Sequence, residues 1–227
     1  MAAREDISRQ MSDRMRTAAF IILSGGFQDA YTYCGRGGVF ANAQTGNIVL
    51  MSSNFFSGRF AAGIKYLVPI AAFLLGTAVA EYVHRRWKYY RALHWRQIVL
   101  LCEMAMLFAV GFLPQELNAP ANALVSFVCA LQVQAFHKVR GHVYASTMCI
   151  GNMRSGMEAL IGYFHGRDKA QRRRAATYFT VILLFALGAG IGCIAAKRFG
   201  EKAIWVCCGL LAVSFALMFQ REPGSTS

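Results

Sequence analysis

Residues 175–196 read AATYFTVILLFALGAGIGCIAA and contain no Asp, Glu, Lys, Arg or His. A helix needs about 20 predominantly apolar residues to span the hydrocarbon core of a bilayer, so this stretch is long enough to cross. The uncharged stretches 117–136 and 203–220 come close to the same length. Working outward, the sequence predicts six spans, and the other three are each interrupted by one carboxylate: 17–35 by Asp29, 66–83 by Glu81 and 97–115 by Glu103.

Composition supports a membrane protein. Of the 227 residues, 56% are hydrophobic and only 15% are charged, whereas soluble domains average about 25% charged. The net charge of +13 does not indicate a nucleic-acid partner, because the basic residues gather between the apolar stretches, as in cytoplasmic loops. We therefore predict a multi-pass protein of a cell membrane. The two basic clusters are Arg85, Arg86, Lys88, Arg91 and Arg96, and Arg167, Lys169, Arg172, Arg173 and Arg174.

The chain resembles itself at an offset of 105 residues. Gly46-Asn47 falls on Gly151-Asn152 at this offset and, after a lengthening of seven residues, Leu75-Gly76 falls on Leu187-Gly188. Each half contains one span, a polar stretch and two further spans. The predicted fold is an all-α transmembrane bundle of two tandem repeats, about 17–113 and 120–220, with a cytoplasmic N-terminal segment 1–16 and a tail 221–227.

The polar stretch 37–58 decides the predicted topology. It is uncharged but rich in Asn, Gln, Ser and Thr, so it must be buried against protein or line a wet cavity. If it crossed fully, the basic cluster after the second apolar span would lie outside, against the positive-inside bias. If it re-enters, each half crosses three times, the repeats are inverted and both termini are cytoplasmic. Eight crossings in a parallel repeat remain the alternative, and crossing or re-entry stays open for both 37–58 and 143–166.

Polar residues inside the predicted spans are the candidate site. Asp29 is a candidate proton or cation site or a partner for a polar solute, and alternatively an interfacial residue or a structural partner of Arg36 or Arg154. Arg154 and Glu158, four residues apart, share a helical face and could form a buried gating or solute-binding pair, or a structural bridge. Glu103 is a further proton-pathway candidate.

The two Gly-Asn dipeptides suggest helix breaks. Glycine permits a break or a close approach, and asparagine offers donors and an acceptor without charge, so both segments could meet near the midplane. Close helix packing is the alternative. The full candidate set is Gln28, Asp29, Asn42, Thr45, Gly46, Asn47, Gln132, Gly151, Asn152, Arg154 and Glu158.

The seven cysteines predict neither a metal site nor a disulfide framework. They lie mostly in apolar stretches and never in a C-x-x-C arrangement, so we interpret them as small packing residues. No histidine has a second ligand at metal-binding spacing. The sequence predicts no metal and no cofactor.

Two stretches resemble a known family. GGFQDAYTYCGRGGVFANAQTGNIVLM (25–51) and LQVQAFHKVRGHVYASTMCIGNMRSGMEAL (131–160) are similar to the YoaK-like family of bacterial integral membrane proteins, a domain of unknown function. The resemblance implies an inner-membrane location and about six spans. It implies no substrate and no catalytic residue.

These features favour a transporter or channel-like protein for a small polar solute or a proton. The sequence contains no arrangement of nucleophile, base and orienting group, so we do not expect an enzyme. A membrane-embedded enzyme, and an assembly or regulatory protein whose basic loops bind anionic lipid or a partner, are the alternatives. Besides the lipid bilayer and the solute, a homo-oligomer is a candidate assembly.

Overall fold

The computed structural model describes residues 15–87, 95–136, 138–139, 142–143 and 149–218. These residues are almost entirely helical, which confirms the predicted helical class. The exception is a short antiparallel strand pair, β1 (Lys138–Val139) and β2 (His142–Val143). Outside the described residues lie the tail 221–227, most of the segment 1–16 and residues 144–148 of the second polar stretch.

Eight helices follow one another in the described residues. Short 3₁₀ turns at Gln115–Leu117 and Gly200–Ile204 precede the fifth and eighth helices. The helices are α1 (Met15–Gly35), α2 (Gln44–Phe56), α3 (Phe60–Trp87), α4 (Trp95–Val110), α5 (Asn118–Ala135), α6 (Cys149–Gly166), α7 (Lys169–Phe199) and α8 (Trp205–Leu217).

Local chemistry explains where the helices begin and end. Gly58 has a φ of +74° in the turn between α2 and α3, a conformation that glycine adopts without steric penalty. The Asp168 side chain accepts a hydrogen bond of 2.8 Å from the Ala170 N–H and so caps α7. Gly200, with a φ of 58°, ends the same helix. The polar stretches therefore become α2 and α6, each joined by a tight turn to a long apolar helix.

The helix contacts repeat with a period of four helices. In the first half α2 packs on α3, and in the second half α6 packs on α7. Between the halves, α1 packs on α7, and the equivalent pair is α5 with α3. In the same way α1 packs on α8, and the equivalent pair is α5 with α4. Two further contacts, α1 with α5 and α4 with α8, join equivalent helices. This is the contact pattern that a duplicated chain with a two-fold relation between its halves would have.

Two glycines make equivalent close approaches. A Cβ on Gly188 would overlap the Leu23 carbonyl, and a Cβ on Gly76 would lie 2.7 Å from the Phe127 carbonyl oxygen. The sequence alignment of Gly76 with Gly188 therefore matches their contacts. The predicted offset of 105 residues is wrong by one for α1 and α5. Leu23 and Phe127, which make the equivalent contacts, are 104 residues apart, and so are Gln28 and Gln132.

The directions of the helices follow from contacts at their ends. Arg36, just beyond α1, donates to Asn118 at the start of α5, while Gln132 near the end of α5 donates to Ile21 in the first half of α1. Helices α1 and α5 are therefore antiparallel, and we call the two ends of the bundle the Arg36 end and the Thr17 end. Ser214 Oγ donates to the Thr17 carbonyl oxygen at 3.2 Å, so α8 finishes at the Thr17 end.

Large apolar side chains face outward on much of the surface. Two helical segments, Phe60–Arg86 and Lys169–Leu217, are long and apolar enough to cross a membrane. The second is 49 residues long and contains both α7 and α8. The other predicted spans stay predictions. The exposed residues include Ile48, Val49, Phe56, Phe60, Ile64, Leu67, Leu74, Leu75, Ile150, Met153, Met157, Ile161, Phe164, Leu183, Leu187, Ile191 and Ile194.

The structure corrects the interpretation of two cysteines. Cys34 in α1 and Cys193 in α7 form a disulfide, with a Cα–Cα distance of 5.4 Å. The prediction that every cysteine is a packing residue is therefore wrong for this pair. Their 159-residue separation concealed it, because only the packing of α1 against α7 brings the two sulfurs together.

Candidate functional site

A row of polar side chains runs along the buried face of α5. Asn122, Ser126, Cys129 and Gln132 are spaced by four, three and three residues, so they lie on one face of the helix. All four are buried, and three of them bond to α1. We call these four residues and the α1 groups that they meet the polar seam. From Arg36 to Ile21 it covers 15 helical steps, or about 22 Å at 1.5 Å per residue.

Two glutamines meet at the middle of the seam. Gln28 Nε2 donates to Ser24 Oγ at 3.0 Å and to Gln132 Oε1 at 3.4 Å, and Gln28 Oε1 accepts from the Cys129 thiol at 3.1 Å. Gln132 Nε2 donates to the Ile21 carbonyl oxygen at 2.9 Å. Both glutamines are fully buried. These two candidate residues are thus brought together where α1 and α5 cross, at equivalent positions of the two halves.

The chain folds back into the bundle after α1. Asn42 Nδ2 donates to the Gly25 carbonyl oxygen at 3.1 Å, although Gly25 lies about 15 Å below the Arg36 end of α1 at helical rise. The segment after Arg36 therefore returns toward the centre of α1, and α2 begins there. Since α3 starts from the turn at Gly58 and packs along α2, the predicted polar stretch is a loop followed by a returning helix.

Asp29 caps this buried helix start. Its Oδ1 accepts from the backbone N–H of Asn42 at 2.9 Å and of Ala43 at 3.4 Å. These N–H groups belong to the N-cap of α2 and to the residue before it, where the helix end carries a partial positive charge, so a carboxylate is favourable there. Asp29 is thus not a partner of Arg36 or Arg154, and that structural alternative is wrong.

Asn47 fixes the loop to the first turns of α2. Its Oδ1 accepts from the Phe40 N–H at 3.0 Å, and its Nδ2 donates to the Phe40 carbonyl oxygen at 2.7 Å and to Gln44 Oε1 at 2.9 Å. Gly46 lets the Phe40 ring approach, since a Cβ there would stand 3.0 Å from two ring carbons. The first Gly-Asn dipeptide therefore shapes the break. Thr45, on the same turn, is exposed and takes no part in it.

Arg36 is buried, 1% exposed, at one end of the seam. Its guanidinium donates to Tyr31 Oη at 2.8 Å and to the carbonyl oxygens of Pro114 and Val110, both at 3.1 Å. The carbonyls at the end of α4 suit a cation because that helix end carries partial negative charge. Arg36 is therefore a fixed part of the bundle and not a free loop charge.

The second half departs from the prediction. Asn152 is buried, but Gly151 is exposed and a Cβ there would meet nothing within 4 Å, so no close approach requires this glycine. Arg154 Nε and Glu158 Oε1 pair at 2.8 Å, but both side chains are exposed, 82% and 56%. The expected buried pair, and the coupling of Arg154 to Asp29, are therefore wrong. Helices α2 and α6 also make their main contacts with α3 and α7 rather than with each other.

Sequence reasoning missed part of the seam. Ser24 and Thr32 on α1, and Asn122, Ser126 and Cys129 on α5, were not candidates, although the spacing of polar residues within 117–136 could have revealed the α5 face. Thr32 Oγ1 donates to the backbone of its own helix, 3.2 Å from the Gln28 carbonyl oxygen, which keeps its hydroxyl satisfied. Across the described part of the chain, no cluster of three or more His, Cys, Asp or Glu is arranged to hold a metal ion.

Comparison with family models identifies the chain's relatives. The model described as "Protein of unknown function (DUF1275)" matches residues 17–217. The chain belongs to this family. The match confirms the resemblance found in the sequence and covers both halves of the bundle. No curated protein and no solved structure matches the chain.

Proposed function

We propose that the protein is a multi-pass inner-membrane carrier or channel for a small polar solute, with the polar seam as its pathway. The observation that carries the proposal is the contrast between seam and surface. Fully buried amides line the crossing of α1 and α5, while large apolar side chains face outward on α2, α3, α6 and α7. Buried polar side chains are costly in a lipid-exposed fold and are enriched along solute pathways.

Two independent features support one orientation. The two basic clusters, Arg85 with Arg86 and residues 172–174, lie toward the Thr17 end, which is the expected cytoplasmic side, while the dispersed Lys65, Lys197 and Arg198 lie toward the Arg36 end. The disulfide between Cys34 and Cys193 lies toward the Arg36 end, and disulfides persist in oxidising compartments such as the periplasm. In this orientation the Arg36 end is periplasmic. The described chain then begins and ends on the cytoplasmic side.

The proposed topology has three crossings in each half. Helices α1, α4 and α7 run toward the Arg36 end, and α3, α5 and α8 run back. The fold-back at Asn42 supports re-entry of the first polar stretch, because α2 starts beside the middle of α1 and α3 then begins at the Arg36 end. The antiparallel crossing of α1 and α5 supports an inverted repeat, in which the second polar stretch re-enters from the cytoplasmic side.

The seam offers hydrogen bonding without net charge at its centre. Gln28 and Gln132 present amide donors and acceptors. Beside them lie the carbonyl oxygen of Gly25 and the side chain of Asn42, which bond to each other where the loop before α2 meets α1. Such a set fits a neutral or zwitterionic solute that exchanges hydrogen bonds with amides. In the described conformation Gln28 and Gln132 bond to each other, so a solute would bind by replacing that contact.

Flux into liposomes tests the proposal. Purified protein is reconstituted, and recovery of vesicle volume after a hyperosmotic step is followed by light scattering with glycerol, urea and glycine in turn. We expect faster recovery than in protein-free vesicles for at least one solute. We also expect Gln28→Met or Gln132→Met, which keep the length of the side chain, to reduce that rate about tenfold, the effect of losing roughly 1.4 kcal/mol of solute interaction.

The exposed Ser53→Ala is the matched control and should retain the wild-type rate. All variants are compared at equal membrane abundance and with a single peak in size-exclusion chromatography. Recovery no faster than in empty vesicles for every solute, or equal rates in the glutamine variants and wild type, would contradict the proposal.

A further inference from the structure

Glu103 is a buried carboxyl group that the pathway described above does not use. It lies on α4, which packs against α5 and α8, and it is fully buried. Among the described residues, neither of its carboxylate oxygens has a hydrogen-bond partner. An ionised carboxylate in such a place has lost its hydration and gained nothing in return, which is a severe cost in a protein interior.

The depth of Glu103 coincides with that of the seam. Glu103 lies seven positions before Val110 on α4. Cys129 and Asp29 lie at the same distance from Asn122 and Arg36, respectively. Val110 and Asn122 both bond to Arg36, so all three groups lie about 10 Å below it at helical rise. The Cys129 thiol interacts electrostatically with both Asp29 and Glu103.

Two neighbouring polar atoms share the unusual state of Glu103. Asn122 Oδ1 and Ser126 Oγ, on the α5 face that leads from Arg36 to Cys129, are also buried without a partner in the described residues. Buried polar atoms of native proteins are nearly always paired, so a row of unpaired atoms calls for an explanation. A row that leads from the Arg36 end to a carboxyl group is suited to transfer of a proton.

The groups that face Glu103 offer it no fixed counter-charge. From α5 the Cys129 thiol interacts electrostatically with Glu103, and from α8 the Cys208 thiol donates to the carbonyl oxygen of the adjacent Met104 at 3.6 Å. Among the described residues the two buried arginines lie toward opposite ends: Arg36 is held near Val110, and Arg96 lies seven positions before Glu103, so each is about 10 Å from the level of Glu103 at helical rise. A proton is therefore the simplest cation that neutralises Glu103.

We infer that Glu103 is a proton-binding site, loaded and emptied along the α5 face of the seam, and that its proton exchange accompanies solute movement. The second half of this inference rests on the proposed function. The site binds one proton at a carboxylate oxygen in the described conformation and releases it when the seam opens to solvent.

Labelling with dicyclohexylcarbodiimide tests the proton site without any solute. The reagent adds to a protonated carboxyl in apolar surroundings: a carboxyl oxygen attacks the carbodiimide carbon, the proton moves to nitrogen, and rearrangement leaves a stable N-acylurea with no leaving group. With the full chain in phosphatidylcholine vesicles, we expect one adduct at Glu103 by peptide mass mapping, with a rate that falls as the pH is raised. Glu103→Gln should lose the adduct, and Glu116→Gln, which changes an exposed carboxylate, should keep it.

An unlabelled Glu103, or labelling at the same rate from mildly acidic to mildly alkaline pH, would overturn the proton site. Coupling is tested in the flux assay with a pH gradient across vesicles that contain pyranine. Solute uptake should respond to the gradient in wild type and Glu116→Gln but not in Glu103→Gln, and an equal response in all three would overturn coupling. If wild type moves no solute, the proposed function and the coupling fail together, while the labelling result still decides the proton site.

Discussion

At the scale of single residues, substitutions of Asp29 distinguish a structural role of its buried carboxyl group from a chemical role. Its Oδ1 accepts two backbone N–H groups at the start of α2. An amide oxygen can accept the same bonds, whereas a methyl group cannot. We expect Asp29→Ala to lower the free energy of unfolding by about 1–3 kcal/mol, because it leaves buried donors unpaired, and Asp29→Asn to change it much less.

Melting of the detergent-solubilised protein measures this difference. The two variants also separate the roles of the residue in transport. If Asp29→Asn melts like wild type and carries solute at the wild-type rate, the carboxylate acts as a helix cap alone. Equal melting temperatures for Asp29→Ala and wild type would contradict the capping role.

Glycines at helix crossings provide a second residue-scale prediction. Gly76→Ala and Gly188→Ala should each destabilise the protein by about 1–3 kcal/mol, because the new methyl group meets the carbonyl of a neighbouring helix. Gly190→Ala, two positions from Gly188 in α7, meets no atom within 4 Å and serves as the matched control. Thermal melting of the three variants compares them. If Gly190→Ala is destabilised as much as Gly188→Ala, the close contact of α7 with α1 at Gly188 would be contradicted.

At the scale of elements, the break before α2 depends on Asn47. This side chain forms hydrogen bonds with both the N–H and the C=O of Phe40, and without it these backbone groups would lose those partners. We expect Asn47→Ala to loosen the loop, so that a cysteine placed at Ala43 reacts with a soluble maleimide at least tenfold faster than in the Asn47 background. The exposed Thr45→Ala on the same turn should leave that rate unchanged. Equal rates in all three backgrounds would contradict the bracing role.

The elements also show what the sequence could predict. The long uncharged stretches predicted α7 and α8, and the polar composition of 37–58 predicted a segment that differs from a lipid-facing helix, because both are properties of local composition. The register of α1 against α5 and the exposure of Arg154 could not be predicted, because they depend on which faces meet. The seam on α5 lay within reach, since its residues recur at helical spacing, but single polar residues in an apolar span do not reveal which helix they face.

At the scale of the whole molecule, the disulfide links the two halves. Cys34 belongs to the first half and Cys193 to the second, so their bond closes most of the chain into a loop. We expect reduction, or the paired replacement Cys34→Ser and Cys193→Ser, to lower stability by about 2–5 kcal/mol, because the unfolded chain regains conformational freedom. In a variant that keeps only these two cysteines, alkylation should occur only after a reductant is added. Alkylation of both without reductant would contradict the link.

In the proposed topology the two halves lie in the membrane with opposite orientation, each with a helix that re-enters. Thiol accessibility in intact cells tests it most directly, with a maleimide that does not cross membranes and with Cys102, Cys129, Cys149, Cys207 and Cys208 replaced by serine. Ser57→Cys, in the turn after α2, should be labelled in intact cells, and Arg172→Cys, in the first turn of α7, only after the inner membrane is permeabilised. Labelling of both positions from the same side would contradict the claim.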